Sequence, residues 1–341
     1  MVQLSKVFIF NSIIYANTVV MLAIGLTLTY LTTKVPNFAH GSIAVVGAYL
    51  FFTVAGVYMG EQLYQGQLAA PVAAGLLAAF LGGAVVGLLE YLLALRPLKR
   101  RGATLLGLMI ATLGVDLFMI GMLNIYADIV GELIKQVRAQ GLRVAYISSR
   151  DWNLRSYFAD QVAGAPLSLW LSTGVVVASL VALYLLLTRT RFGVAMRAAI
   201  ENPNLAGVLG VNVDLVNMAS WFIAGGLAGL AGALMGITER MNPATGSLEV
   251  VVVFAASIVG GLESLAGAVA GGYLVGLSET LGTRYIGALL GINLYVYRKA
   301  VPLLLIIVTL LLAPRGLAGL AEEKKLATRL QALFSRMRRG R

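Results

Sequence analysis

Residues 188–214 read TRTRFGVAMRAAIENPNLAGVLGVNVD, the most polar interruption between two long apolar runs. Asn202-Pro203 predicts a helix N-cap followed by proline at the first helical position, where the missing N–H is not needed. The helix spans 203–209, about two turns at 3.6 residues per turn. Gly210 is placed to stop it, since glycine tolerates the left-handed cap conformation. Leu205, Val208 and Leu209 give the helix an apolar face, and Ala206 keeps it slim enough to approach a partner. Asp214 reads as the N-cap of the next apolar helix. A short capped helix that projects between two apolar runs is either an ordinary loop made positive by topology or a docking element.

The flanking runs decide the class. Of 341 residues, 59% are hydrophobic and 12% charged, and the mean hydropathy is +0.86. A soluble domain is nearer a quarter charged. Several runs exceed the roughly 20 residues that a helix needs to cross hydrocarbon. Backbone groups in lipid must pair internally, so these runs are helices. The 39 glycines suit close helix–helix approach. With no cysteine there is no disulfide, thiolate metal site or cysteine nucleophile. The net charge of +11 does not point to nucleic acid, because the basic residues fall in short loops on one side of the membrane.

The expected fold is all-α and polytopic, with about eight transmembrane helices. Spans are expected at 7–31, 37–59, 68–95, 103–129, 166–188 and 215–238. The first is too long for a signal-peptide core. Alternation puts Lys34, the basic run 96–101, the loop 189–214 and the C-terminal tail on one face. That face is cytoplasmic by the positive-inside rule, which leaves the amino terminus and the polar segment 131–165 outside. Region 250–281 is too long for one span, and Gly260-Gly261 and Glu263-Ser264 cut it. It reads as a broken or re-entrant pair, tolerated where it is buried in protein or lines a cavity. A last span covers 295–313. The chain thus divides into a transmembrane domain, 1–314, and a basic tail, 315–341. In the tail Leu326, Leu330, Leu333, Phe334 and Met337 recur at helical spacing, so it either lies on membrane lipid or frays.

Chemistry-bearing residues are few. His40 is the single histidine, so no His/Cys cluster can bind zinc. There is no G-x-x-x-x-G-K-[ST] run, so any ATP that drives this chain is bound by another subunit. There is no G-x-S-x-G elbow, and no cofactor is implied. Glu90, Asp116 and Glu279 fall within or at the ends of apolar runs, where a carboxylate is costly and a functional candidate. Glu90 is six residues from Arg96 and reads as interfacial. Asp116, in LGVDLF at 113–118, is the deepest; it either serves a pathway or makes a structural hydrogen bond. Asn37, His40 and Gly41, in Asn37-Phe38-Ala39-His40-Gly41, read either as a cap with tight packing or as part of a gate. Gly260, Gly261 and Gly267 read as pathway-lining glycines of the broken pair. Glu239, Arg240 and Glu249 are expected at the outer face.

Three marks carry a resemblance. The first is Arg197-Ala198-Ala199, Glu201-Asn202-Pro203, Ala206 and Gly210-Val211-Asn212. The second is Asn37-Phe38-Ala39-His40-Gly41 with Gly47-Ala48-Tyr49. The third is Ala255-Ala256, Val259-Gly260-Gly261, Leu265-Ala266-Gly267-Ala268 and Gly271-Gly272. Together they resemble the permeases of ABC importers of the branched-chain amino-acid (LivH/LivM-type) family. Ser42 stands where that family usually has an acidic residue, Val35-Pro36 departs from its approach to the motif, and Glu263 replaces a glycine. The resemblance implies a prokaryotic plasma-membrane subunit that is not itself an enzyme. Its partners would be a homologous second permease, two ABC ATPase subunits and an extracytoplasmic solute-binding protein. Residues Asn202, Pro203, Leu205, Ala206, Val208, Leu209 and Gly210 would form the ATPase-coupling helix. The implied solute is a branched-chain or other apolar amino acid, with urea and short amides as relatives' alternatives. The rival is an ATP-independent secondary transporter or channel coupled through Asp116 or Glu279. An intramembrane hydrolase is disfavoured because no nucleophile–base pair is visible.

Overall fold

The long apolar runs all fold as helices, because hydrocarbon offers their backbone no other partner. The structure, a computed structural model, describes residues 6–144 and 148–320. It begins with α1 (Lys6–Thr33) and α2 (His40–Phe51), which runs on as a π-helical stretch, Phe52–Tyr58. A short α3 (Gly60–Tyr64) precedes α4 (Ala69–Glu90), which passes through a π-helical turn, Tyr91–Leu95, into α5 (Arg96–Arg100). Next come α6 (Leu105–Ala139), a small hairpin of β1 (Gln161–Val162) and β2 (Ala165–Pro166), and α7 (Leu167–Arg189). The elements α8 (Arg191–Glu201) and α9 (Pro203–Val208) lead to α10 (Val213–Thr238). After α10 come α11 (Thr245–Gly260), α12 (Leu265–Leu277), α13 (Thr283–Leu290) and α14 (Ala300–Leu312). Among the described residues, seven helical segments are long and apolar enough to cross a membrane, and α11 is a shorter apolar helix.

Several boundaries differ from the sequence expectation. α6 continues to Ala139, so the first part of segment 131–165 is helix. Its charges ride on a helix that outruns the apolar stretch. Residues 148–165 fold onto the bundle. Trp152 and Met241 exchange backbone hydrogen bonds of 3.2 and 2.8 Å, Tyr49 donates to the Ser149 carbonyl at 2.8 Å, and Trp152 stacks on Phe52. The last span begins at Ala300, because Leu294–Tyr297 form a 3-10 turn. Asn212 caps α10 by accepting from the Leu215 N–H at 3.0 Å. Asp214 does not cap it: Arg96 and Arg100 take its carboxylate. The break in 250–281 is real, with α11 ending at Gly260 and Ser264 capping α12 through the Gly267 N–H at 3.0 Å. Beyond it the helix is uninterrupted from Leu265 to Leu290 through a π turn, so only the first half is short. The tail helix expected at 326–337 lies outside the described residues.

The spans alternate in direction. Lys34 pairs with Glu263 at 2.8 Å, and its hydrogen bond holds the Glu263 carboxyl below the usual range. Val35 packs with Leu95 and Trp221, Arg96 pairs with Asp214, and Gly316 abuts Gly261. The loops that follow α1, α5, α9, α11 and α14 therefore share one end, the basic end. The Trp152–Met241 ladder and Glu239 lie at the other.

At the centre stands α10, which packs along α1, α2 and α4. Its glycines allow this. A Cβ on Gly225 would overlap the carbonyl oxygen of Gly83, one on Gly229 that of Ala79, and one on Gly232 that of Ala44. In lipid, such backbone-to-backbone van der Waals contact replaces the hydrophobic drive that is missing between helices.

A buried ionic cluster ties the other flank. The Tyr15 hydroxyl lies 2.9 Å from both Glu249 and Glu279, which share its single proton. Lys299 lies 2.5 Å from Glu249 and 3.0 Å from Glu279. Arg298 reaches Glu239 at 3.3 Å and Glu279 at 3.7 Å. Glu249, in the first turns of α11, is thus buried and paired. The cluster joins α1, α11, the π turn before α13 and the start of α14, so it fixes the short helices that have least surface of their own.

Two outcomes follow for stability. Gly229→Val should overpack the α4–α10 crossing at a cost of about 1–3 kcal/mol, read as a lower melting temperature in detergent. Lys299→Ala should cost about 3 kcal/mol or more by leaving two buried carboxylates without their shared cation, whereas Lys299→Met combined with Glu249→Gln should recover part of the loss. An unchanged melting temperature in Lys299→Ala would mean the cluster holds nothing together.

Candidate functional site

Between α7 and α10 the chain builds a small projection. Thr190 caps α8 by accepting from the Gly193 N–H at 3.0 Å. Asn202 then caps α9 by accepting from the Leu205 N–H at 3.0 Å, with Pro203 at its first position. The helix ends one residue earlier than the sequence suggests, at Val208, with Leu209 as its C-cap. Gly210 follows at φ +86°, and the Val211 N–H returns to the Ala206 carbonyl at 2.9 Å. Both ends are therefore closed locally, which makes α9 stiff despite its length. Leu205, Leu209 and Val208 are 56%, 74% and 85% exposed, a ridge of three apolar side chains. Ala206 points the other way. It is 2% exposed and belongs to the main core. Its small size serves packing within this chain, which corrects the expectation that it gives clearance to a partner.

The motif at 37–41 is enclosed. Asn37 accepts from the Ala39 N–H at 2.8 Å and donates to Glu90 at 2.9 Å. The Phe38 N–H donates to Thr112 at 3.2 Å, and its ring stacks on Phe254 at 4.8 Å. His40 opens α2 wholly buried, with the Leu22 backbone beside its ring. A Cβ on Gly25 would stand 2.8 Å from its Nε2. A Cβ on Gly41 would overlap the Gly246 carbonyl oxygen. Asn37, His40 and Gly41 are thus buried in tight packing, and α2 starts without a side-chain cap. Glu90 is buried as the partner of Asn37.

The glycines of the broken pair also pack. A Cβ on Gly260 would overlap the Gly267 carbonyl, and one on Gly267 that of Gly260. Gly261 turns the chain at φ +104°, a region that side chains strain to enter. These three positions form the α11–α12 crossing and its turn. A side chain at Gly260 or Gly267 would therefore disturb the hairpin itself.

Asp116 is different. Its two carboxylate oxygens accept from Ser42 and from Ser247, the latter at 2.8 Å. It is 7% exposed, with Leu113 and Leu117 open beside it. No cation pairs with it among the described residues. Eleven residues of helix separate it from Leu105, about 16 Å at 1.5 Å per residue. That depth is near the middle of a hydrocarbon layer about 30 Å thick. Three helices, α2, α6 and α11, supply the site. Sequence reading singled out Asp116 but missed Ser247, whose only signal is a hydroxyl two residues before Glu249 in an apolar helix. It also missed the Tyr15–Lys299 pairing. Two carboxylates in apolar runs and two adjacent cations before the last span were the available hint.

Comparison with known proteins agrees with this layout. The family described as branched-chain amino acid transport system / permease component matches residues 8–310. A probable branched-chain amino acid transport permease protein LivH of Methanocaldococcus jannaschii is 42% identical over 319 residues, covering 94% of each chain. The high-affinity branched-chain amino acid transport system permease protein LivH of Escherichia coli K12 is 26% identical, covering 93% of this chain and 96% of that one. BraD of Pseudomonas aeruginosa, named for the same system, is 28% identical, covering 92% and 96%. Among solved structures, PsaBC from Streptococcus pneumoniae in complex with Fab aligns over 90% of this chain and 92% of that one, at 14% identity and a TM-score of 0.42, too slight a likeness to carry an argument. By the extent of the family match and the identity to its archaeal relative, the chain belongs to the family of permease components of branched-chain amino acid transport systems.

Proposed function

We propose that this chain forms half of the translocation path of an ATP-driven ABC importer for branched-chain or other apolar amino acids. The observation that carries the reading is α9, capped at both ends and bearing three exposed apolar side chains on a projection between two spans. A stiff apolar ridge at the basic end suits a cleft on a separate ATPase subunit. The names of the relatives support the solute class. The partners are two ABC ATPase subunits, a homologous second permease and an extracytoplasmic solute-binding protein, and ATP hydrolysis resides in the ATPases. The basic end, with loop 189–214 and the tail, faces the cytoplasm, and segment 131–165 with the amino terminus faces outward, by the positive-inside rule. Glu279 suits ion coupling poorly, because Lys299 and Arg298 already engage it.

Within the membrane we assign the path-facing role to Asp116. A carboxylate near the bilayer centre with only hydroxyl donors lacks a counter-charge. The ammonium of a passing amino acid would supply one, while Leu113 and Leu117 receive an apolar side chain.

Val208→Asp and Leu209→Asp leave the fold intact, since both side chains are exposed. Each removes burial worth roughly 1.5–3 kcal/mol, so ATPase co-purification, solute-stimulated ATP hydrolysis and uptake should all fall about tenfold or more. Full uptake by either variant, or transport with no ATPase present, would sink the coupling role. Asp116→Asn keeps the size and an acceptor for one serine. It should lower uptake while the assembled complex, its basal ATP hydrolysis and its melting temperature persist; wild-type uptake would remove Asp116 from the path.

A further inference from the structure

Only Val211 and Asn212 separate Gly210, the stop of α9, from the start of α10. The Val211 N–H is already held by the Ala206 carbonyl, so α9 joins α10 with little slack. Asp214 lies in the first turn of α10. Since Asn212 does the capping, the Asp214 carboxylate is free for other partners. One oxygen pairs with Arg96 and lies 3.6 Å from Arg100. The other accepts from the Tyr91 hydroxyl at 2.9 Å. Asn217, three residues along α10, donates to that same hydroxyl at 3.2 Å. All of Asp214's partners belong to α5 or to the π turn that joins it to α4. Behind them the apolar cluster of Val35, Leu95 and Trp221 takes in the Tyr91 ring. The start of α10 is thus gripped by the corner between α4 and α5.

The grip on the other side of the projection is local. Arg197 of α8 donates to the Leu187 carbonyl at 2.7 Å, an exposed contact with the last turns of the neighbouring α7. From Tyr91, by contrast, a chain of contacts runs inward. The adjacent Glu90 is buried and accepts from Asn37 at 2.9 Å. Asn37 stands three residues before α2, and α2 carries Ser42, one of the two donors to Asp116. Packed helices joined by such bonds can carry coupling between distant sites.

We infer that Asp214 is a positioning residue that conveys movement of α9 to α4, and through Glu90 and Asn37 to the end of α2 that carries Ser42. The inference rests on α9 being the docking element for the ATPase.

The test assembles the full complex, with ATPase subunits, second permease and solute-binding protein, in proteoliposomes and counts leucine uptake and ATP hydrolysis together. Asp214→Asn should keep the ATPase subunits and basal ATP hydrolysis, and lower the leucine taken up per ATP about tenfold. Asp214→Glu should recover most of that ratio. Arg96→Met should lower it as Asp214→Asn does, and the double variant should be no worse than either single one, because both break one contact. A merely structural fault would lower uptake and hydrolysis together and leave the ratio unchanged. Should Asp214→Asn fail to assemble, Tyr91→Phe removes one donor, spares the ion pair and should still lower the ratio. A wild-type ratio in these variants, or additive losses in the double one, overturns the role. So does loss of the ATPase subunits from the Asp214→Asn complex, which would assign Asp214 to docking. Leucine uptake with no ATPase subunits present would sink the importer reading itself, and this role with it.

Discussion

Backbone-to-backbone contact along α10 is the constraint on which the architecture rests. In water, burial of apolar side chains would drive helices together, but lipid removes that drive and leaves close packing in its place. Each glycine in a helix interior gives up roughly 0.5–1 kcal/mol relative to alanine, and α10 accepts this at Gly225, Gly229 and Gly232 so that α2 and α4 can close on it. The spans divide accordingly. α1, α2 and α10 are largely enclosed, while α6, α7 and α14 keep broad apolar faces outward. The α8–α9 projection hangs between one enclosed helix and one peripheral helix. A force applied at α9 therefore meets a stiff side and a yielding side.

Charge inside the membrane obeys a second rule: it is paired or it has work to do. Glu249 and Glu279 share Lys299 and the Tyr15 hydroxyl. Glu90 is held by Asn37. Asp116 stands apart with two serines and, among the described residues, no cation.

Local signals were legible in the sequence because they are local. Apolar run lengths gave the spans, and Asn202, Pro203 and Gly210 gave both ends of α9. Choices between near-equal neighbours were not. Asn212 and Asp214 are both good capping residues, and only the position of Arg96, more than a hundred residues away, decides between them. The direction of Ala206 is likewise hidden, since a small residue suits an inward face and an outward one equally. The ionic cluster joins residues 234 and 284 positions apart, and no periodicity in a single strand of text marks such a pair. Gly260 and Gly267 were visible as glycines at a break, but whether the space they leave is filled by backbone or by solute depends on the fold.

The backbone ladder between Trp152 and Met241 has a mechanical meaning. Met241 lies in the link from α10 to α11, four residues before the helix that carries Ser247 and Glu249. The surface segment is thus laced to the strand of chain from which that short helix is suspended. Displacement of the segment pulls on this link as on a drawstring. Its other end leads to the serine that steadies Asp116.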